Sequence, residues 1–476
     1  MNEARNRRRS QLCYALILGF TGFTALLLAV HGGSVVNYAF PVLAFAVAGA
    51  VLMLRPNVYC AFVWWIWLFT PLVRRLVDYQ TSYHNISPVM LAPILVTGYT
   101  ALSLLRHIRF ILRRDMLPIF MILLVLTYAF FVGVIINGAP AAGFEYLTWL
   151  LPVTFGIYML RQREQFDDIR KTFIFANNLG LLLIGAYGIY QFFRLPPWDA
   201  FWLQASKITA VGAGTAESVR IWSTMNSPGP YAFALAQSLV FIFVSKGLLR
   251  LAAGGIGFPA FGLSLVRSAW ACWALAVAYI VFRARAKTRI RVAAAAIIVV
   301  AVSIPLVTAG PVADQVAARF STFGNLSQDN SYKARQQIYA TTALDAFMQP
   351  IGVGFGQIGV SGKLSAGHTV VFDAGALQAP LEFGWVGALL FGYAIVVLSL
   401  RVLGSTLKSR DPIAIAGGGL FLAMILENLL NSDFTSTLGI SIWVSYAFAL
   451  GMAPAYARGK SSRRIEPLRS PPLAAE

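Results

Sequence analysis

The sequence predicts an all-α, polytopic membrane protein, and three observations support that prediction. Apolar residues make up 58% of the 476-residue chain and charged residues only 12%, whereas a soluble domain usually carries about 25% charged residues. The mean hydropathy is +0.68. Many apolar runs reach the roughly 20 residues that a helix needs to cross a hydrocarbon core. The spans are expected to be helices because backbone groups in lipid must be satisfied internally, whereas an outer-membrane barrel would show short alternating segments.

Apolar runs give about 12–14 candidate transmembrane helices, at 12–30, 35–54, 57–73, 88–105, 117–136, 142–160, 172–193, 229–245, 248–265, 268–282, 292–309, 378–400, 412–430 and 435–454. The predicted organisation is a basic N-terminus at 1–11, helices over 12–309 with a smaller loop near 194–228, one large loop at 310–377, and C-terminal helices at 378–455. Residues 456–476 form a polar, Pro-rich tail that is predicted to be disordered.

The distribution of positive charge predicts how these helices are oriented. The net charge of +19 lies in short clusters between spans and not in a separate basic domain, which argues against nucleic-acid binding. With the N-terminus in the cytoplasm, 28 of the 38 Lys and Arg residues fall on the cytoplasmic side, as the positive-inside rule requires. We therefore expect cytoplasmic termini and an outward-facing loop at 310–377. The first apolar run is interpreted as an uncleaved span, since it is longer than a signal-peptide core.

The Lys and Arg residues on the outward side oppose this charge bias, so each of them needs a structural or functional reason. Arg267 is flanked by apolar residues, so it is expected to face the protein interior and to mark an anion site or an ion pair. Arg74, Arg75 and Arg194 are interpreted as helix-end anchors that reach the membrane interface.

The segment before the predicted helix at 229–245 is a candidate anion site. Asn226 can cap a helix or a tight turn, and Pro228 can occupy its first turn. Free N–H groups at that helix start would point toward an anion beside Arg220. A plain loop-to-helix cap is the alternative interpretation.

The large loop contains a second candidate. Tyr332, Arg335 and Tyr339 share one face of a predicted helix that ends at Pro350. This arrangement suits a phosphate or a sugar, because a guanidinium makes bidentate contacts with phosphate. A solvated charge on a surface helix is the alternative.

Two features carry no predicted chemistry. The glycine-rich stretch at 352–356 follows no strand, so it is interpreted as a flexible turn and not as a phosphate loop. The cysteines Cys13, Cys60 and Cys272 lie far apart in apolar runs, so neither a disulfide framework nor a metal site or other cofactor is predicted.

Carboxylates mark the end of the large loop and the helix that follows it. Asp373 is expected at the mouth of that helix, with Glu382 about two and a half turns inside it. Carboxylates near a membrane face are costly unless they are paired or functional. A further polar patch is predicted at an outward helix end, formed by Glu427, Asn428, Asn431 and Asp433.

Together these segments resemble the O-antigen ligase and polysaccharide polymerase superfamily over roughly residues 215 to 455. The resemblance lies in four motifs in the family's order and spacing: Arg220…Thr224…Asn226…Pro228…Tyr231-Ala232, then Val266-Arg267-Ser268-Ala269-Trp270, then Ala334-Arg335…Tyr339 leading into Pro350-Ile351-Gly352-Val353-Gly354, and last Leu377-Gln378…Glu382…Gly384. The first 200 residues resemble the family only in being helical spans.

The resemblance implies a GT-C-like membrane fold and a metal-independent, inverting glycosyl transfer at the periplasmic face of a bacterial inner membrane. The donor would be an oligosaccharide on undecaprenyl pyrophosphate, and a chain-length regulator and a flippase are further candidate partners. The family's pyrophosphate-binding arginines correspond to Arg220, Arg267 and Arg335. Positioned cations can neutralise a leaving pyrophosphate without a metal.

This chain departs from the family at the general base. The family's His position is Asp373 here, so Asp373 is predicted to activate the acceptor hydroxyl, with His368 and Glu382 as alternatives. The departure favours a polymerase of exopolysaccharide or O-antigen over the ligase branch. The alternatives are a ligase that transfers glycan to lipid A–core and a flippase of lipid-linked sugars. A flippase would place ionisable residues at mid-membrane depth.

Overall fold

The protein is all-α over the residues that the structure describes. A computed structural model describes residues 2–208, 210–212, 214–287, 289–290, 292–294, 297, 330–367, 372, 374–431 and 434–452. Within these ranges no β-strand forms, and an isolated antiparallel bridge pairs Gly212 with Val219. The helices, numbered over the described residues, are α1 (Asn2–Ala29), α2 (Gly33–Leu54), α3 (Pro56–Gln80), α4 (Ala92–Arg106), α5 (Ile108–Ile111), α6 (Leu117–Asn137), α7 (Ala139–Arg161), α8 (Phe166–Arg194), α9 (Pro197–Ser206), α10 (Pro228–Ile242), α11 (Leu249–Leu263), α12 (Arg267–Arg283), α13 (Asn330–Met348), α14 (Gly362–Ser365), α15 (Gly375–Lys408), α16 (Pro412–Glu427) and α17 (Ser436–Leu450). Short 3₁₀ turns lie at Pro88–Leu91, Arg114–Met116 and Arg163–Gln165.

The described helices are those of a polytopic membrane protein. Seven of them are long and apolar enough to cross a membrane by length and composition, at Asn6–Ala29, Gly33–Leu54, Pro56–Gln80, Pro88–Arg106, Arg114–Asn137, Arg163–Arg194 and Gly375–Lys408. Shorter apolar helices occupy Pro228–Ile242, Leu249–Leu263, Pro412–Glu427 and Ser436–Leu450. Every predicted span other than 292–309 coincides with a helix, and 292–309 lies almost wholly outside the described residues.

Local sequence explains where several of these helices begin. Pro56, Pro228 and Pro412 open α3, α10 and α16, where the missing N–H costs nothing and the fixed φ suits a helix. Asp411 caps α16 by accepting a hydrogen bond from the amide of Ile413 at 3.2 Å. These residues therefore fix where each of the three helices begins.

Helix α15 is broken by one glycine. Gly384 has φ 66° and ψ 168°, a conformation that strains every residue with a Cβ. A Cβ at this position would lie 2.0 Å from the carbonyl oxygen of Pro350. The break therefore lets the chain at 350–352 pack directly against α15, and it separates Glu382 from the long apolar part of the helix.

The centre of the bundle is α17, whose residues are nearly all buried. It packs against α7, α16 and α10. One close approach is at Gly156 of α7, where a Cβ would lie 2.7 Å from the carbonyl oxygen of Trp443. Small residues allow such close packing between membrane helices. Around this centre, the segment before α10 contacts the end regions of α3 and α11 through Ser223 to Arg75 and Ile221 to Leu263. The residue Asn431, just after α16, contacts Ser268 at the start of α12.

Candidate functional site

The three predicted site arginines converge around the start of α12. Arg267 is the first residue of that helix and is half-buried. Arg220 donates from Nη2 to the carbonyl oxygen of Leu265 at 3.2 Å. Arg335 donates from Nη2 to Oδ1 of Asn431 at 2.9 Å, and Nδ2 of Asn431 lies 3.2 Å from the hydroxyl of Ser268. Two distant segments are thus tied to the residues on either side of Arg267.

The start of α12 adds its own positive potential. The first N–H groups of a helix lack intrahelical partners, and the helix dipole places partial positive charge there. Leu265 has φ 52°, a left-handed conformation unusual for a side chain of this size. Val266 is extended and serves as the N-cap. The chain turns sharply into the helix, so the amide groups of its first turn lie next to Arg267, an arrangement that suits a phosphate oxygen.

Arg220 is held on several sides. Its Nη1 atom donates to the carbonyl oxygen of Ala210 at 2.9 Å, and its backbone N–H donates to Val211 at 2.8 Å. Together with the bond to Leu265, these contacts fix the guanidinium between two loops. A fixed guanidinium loses little conformational freedom when it binds an anion.

Asn226 does not cap a helix. Helix α10 begins at Pro228 as predicted, but its N-cap is Ser227 and no side chain provides a capping hydrogen bond. The prediction of Asn226 as the cap is therefore wrong. Its Oδ1 atom is buried and has no hydrogen-bond partner among the described residues. This oxygen can accept a hydrogen bond from a ligand.

On helix α13, Arg335 packs against the helix bundle, whereas Tyr339 does not. The helix spans Asn330–Met348 and ends before Pro350, as predicted. Arg335 is half-buried, whereas Lys333 and Tyr339 are exposed. The side chain of Tyr332 lies outside the described residues. Arg335 reaches Asn431, and the predicted pairing with Tyr339 at an enclosed site is not seen.

Glu427 and Asn431 also belong to the site, although the sequence indicated only a polar patch there and no role for either residue. The side-chain amide of Asn431 donates to Oε1 of Glu427. Glu427 is 6% exposed, and its Oε2 has no hydrogen-bond partner among the described residues. The spacing of four residues between Glu427 and Asn431 indicated that these two side chains could contact each other. It could not indicate that Ser268 and Arg335, which are distant in sequence, contact Asn431.

Glu382 is buried away from the arginines, in contact with a second carboxyl group. Its carboxyl group lies against that of Glu145, and Oε1 accepts from the amide of Gln378 at 3.2 Å. Glu145 Oε2 also accepts from the backbone N–H of Gly356 at 2.5 Å and from the hydroxyl of Ser361 at 2.8 Å. Sequence reasoning missed Glu145, although a carboxylate inside an apolar helix was a signal.

The glycine-rich stretch at 352–356 is not a flexible turn, and that prediction is wrong. Val353 donates its N–H to the carbonyl oxygen of Leu381 at 2.8 Å, and Phe355 donates to Ala129 at 3.0 Å. Phe355 is fully buried. The glycines bring this backbone close to two helices, and main-chain bonds then hold it in place.

Asp373 and His368, the predicted general base and its alternative, lie outside the described residues. The chain on either side of them is described. Gly375 donates its N–H to Leu430 at 3.4 Å, close in sequence to Asn431. Gly367 accepts a hydrogen bond from Nδ2 of Asn85 at 3.0 Å.

Arg74 and Arg75 are buried in ion pairs, so their interpretation as interface anchors is wrong. Nη1 of Arg75 lies 2.7 Å from Oδ1 of Asp199, and both side chains are 0% exposed. Nε of Arg74 lies 3.3 Å from Oδ2 of Asp78. Burial raises the pKa of Asp199 above its usual range, and Arg75 opposes this rise. Arg194 is exposed, which is compatible with an anchor.

An apolar cavity of about 620 Å³ opens beside the site, between α7, α15 and α16. Trp149, Trp385 and Phe391 line it, and Gln378 and Asn428 supply polar groups at its wall. Such a cavity can accept a hydrocarbon chain whose polar end lies near the arginines.

The described residues contain no group of three or more His, Cys, Asp or Glu side chains that could hold a metal ion. The three cysteines are buried and unpaired with one another. No protein-family model matches the chain, and no curated protein matches it.

Proposed function

We propose that this protein is a glycosyltransferase that polymerises undecaprenyl-pyrophosphate-linked oligosaccharide repeat units into exopolysaccharide or O-antigen. The observation that carries the proposal is the meeting of Arg220, Arg267 and Arg335 at the start of α12. A pyrophosphate is a multiply charged anion, and guanidinium groups combined with helix N–H groups suit its oxygens.

In the proposed reaction, an acceptor hydroxyl attacks the anomeric carbon of the lipid-linked donor. A new C–O bond forms while the C–O bond to the pyrophosphate breaks, and the electron pair leaves with the pyrophosphate. The arginines stabilise the negative charge that develops on this leaving group. A single displacement inverts the anomeric configuration.

The acceptor proton passes to a general base, for which Asp373 is the first choice and His368 the second. Glu382 would first have to leave Glu145 and Gln378, which now enclose it. Glu427 stands closer to the arginines through Asn431 and Arg335 and balances part of their charge.

The proposal includes the position of the site at the periplasmic face of a bacterial inner membrane. Its support is the charge distribution, with 28 of 38 Lys and Arg residues on the opposite side of the predicted topology. The apolar cavity beside Gln378 and Asn428 gives the polyprenyl chain of the donor a place next to the arginines.

The test is complementation of a deletion strain with variants at the site. Arg220→Ala and Arg267→Ala are expected to abolish polymer while the protein still inserts in the membrane. Arg194→Ala is the matched control, because Arg194 is also an outward cation of the predicted topology but is exposed at the end of a helix. Accumulation of single repeats on the lipid carrier supports a polymerase. Full-length chains on the carrier would indicate a ligase, and normal chain-length ladders from both site variants would refute the proposal.

A further inference from the structure

Residues 220–226, which carry Arg220 and Asn226, rest on a buried polar network. The first part of this network is Gln191 on α8. Its Oε1 atom accepts hydrogen bonds from the backbone N–H groups of Trp222 at 3.0 Å and Ser223 at 2.8 Å. One side chain thus binds two consecutive amides of the segment, and Gln191 is itself 0% exposed.

The second part is the buried ion pair between Arg75 and Asp199. Arg75 donates from Nη2 to the carbonyl oxygen of Ser223. Oδ2 of Asp199 accepts from Nε2 of Gln191 at 2.6 Å and from the hydroxyl of Tyr187 at 2.9 Å. The ion pair and Gln191 are therefore one connected network that binds both the N–H and the C=O of Ser223.

The backbone of the segment is strained at the residue that the network holds. Ser223 has φ 49°, in the left-handed region that residues other than glycine rarely occupy. Its hydroxyl also donates to the carbonyl oxygen of Ile184 at 2.6 Å. Strained conformations of this kind persist only where the surrounding structure over-determines them, and they cluster at functional sites.

We propose that Arg75, Gln191 and Asp199 are positioning residues that hold residues 220–226 so that Arg220 and Asn226 meet the pyrophosphate. The identity of the ligand rests on the proposed function, whereas the positioning does not. A buried ion pair is a weak source of stability, because an apolar pair of similar volume often replaces it without loss. Holding binding groups in place before the ligand arrives lowers the cost of binding and of reaching the transition state.

The experiment compares four variants of the full-length protein in detergent: two that remove contacts of the network, one control and one in which two network side chains are swapped. Gln191→Leu removes the acceptor for both amides, and the double variant Arg75→Met/Asp199→Leu removes the ion pair without leaving one buried charge. The control is Arg74→Met/Asp78→Leu, which removes the neighbouring buried pair. Arg74 also donates to the carbonyl oxygen of His84 and not to residues 220–226. The readouts are hydrogen exchange of the 220–226 amides and the KM and kcat for a lipid-linked repeat.

Both network variants are expected to raise amide exchange at Trp222 and Ser223 and to lower kcat/KM by about 10²-fold, mainly through KM for the lipid-linked donor. The control is expected to leave both readouts near the wild-type values. In the swapped variant Gln191→Glu/Asp199→Asn, residue 191 still accepts hydrogen bonds from the two amides, and one negative charge remains in the network with Arg75. That variant is expected to recover protection and KM.

Unchanged exchange at Trp222 and Ser223 in both network variants would overturn the inference. Raised exchange with an unchanged KM, in a protein where Arg220→Ala is inactive, would also overturn it. If Arg75→Met/Asp199→Leu fails to fold, the comparison of Gln191→Leu with Gln191→Glu/Asp199→Asn still tests the inference. If the wild type elongates no lipid-linked repeat, the proposed function fails, and the exchange rates still decide the positioning.

Discussion

The guanidinium of Arg335 donates a 2.9 Å hydrogen bond to Oδ1 of Asn431, and this bond links the large loop to the helix bundle. Asn431 follows α16 and lies within 3.2 Å of the hydroxyl of Ser268 on α12. A residue of the loop therefore meets the helix that begins with Arg267. Through these two hydrogen bonds, the large loop contributes Arg335 to a site that is otherwise formed by the helices.

Substitution of Arg335 is expected to lower activity much more than removal of an exposed positive charge from the same helix, α13. Arg335→Ala should lower elongation by about 10²–10³-fold, the usual effect of removing one stabilising donor from a transition state. Lys333→Ala is the matched control, because Lys333 lies on the same helix and is exposed. The rate of elongation by purified protein measures both. Equal losses in the two variants would show that only the net charge of the helix matters.

A methyl group at Gly354 is expected to displace residues 352–356 from the bundle. Its φ is +65°, and a Cβ would lie 2.2 Å from the amide nitrogen of Gly133. Gly359 has φ +69° but nothing within 4 Å of a Cβ, so Gly359→Ala bears only the backbone cost of about 1–2 kcal/mol. Thermal unfolding in detergent should show a clearly larger loss for Gly354→Ala. Similar losses in both variants would mean that the close approach is not required.

The contact between Glu145 and Glu382 is expected to need a proton. Two carboxylates in contact repel each other unless one of them is protonated. Glu382→Gln should therefore keep most of the stability, since an amide can donate where the protonated carboxyl group donates. Glu382→Ala should cost about 1–3 kcal/mol by leaving buried partners unsatisfied. A midpoint of thermal unfolding lower for the Gln variant than for the Ala variant would contradict this expectation.

Lys363 is expected to lose its proton more readily than an ordinary lysine. Burial lowers the pKa of Lys363 below its usual value of 10.5, the nearby Arg74 lowers it further, and Asp78 opposes the shift. Because the neutral amine forms at lower pH, the midpoint of the pH profile for acetylation of Lys363 should fall below 10.5. Arg74→Gln should raise that midpoint. A wild-type midpoint at or above 10.5 would show that the ammonium group is not desolvated.

The sequence predicted the helices well because apolar runs and proline positions act locally. The start of α10 at Pro228 and the end of α13 before Pro350 follow from the chemistry of proline alone. Arg267 was predicted to face the protein because apolar residues flank it, and it is half-buried at the start of α12.

Partners far apart in the chain could not be predicted in the same way. The ion pair of Arg75 with Asp199 joins residues 124 positions apart, so the sequence favoured an exposed anchor. Arg74 could have been recognised from Asp78 at i, i+4. The contact of Glu382 with Glu145 required residues 352–356 to pack against α15, and composition favours a flexible turn for so many glycines.

The proposed glycosyl transfer is tested by elongation of undecaprenyl-pyrophosphate-linked repeat units by the purified protein in detergent. Product length is measured for the wild type, Arg267→Ala and the control Arg194→Ala. Oligomers of several repeats, with release of undecaprenyl pyrophosphate, are expected from the wild type and the control, and only single repeats from Arg267→Ala. Equal product lengths from the wild type and Arg267→Ala, or no elongation by the wild type, would contradict that proposal.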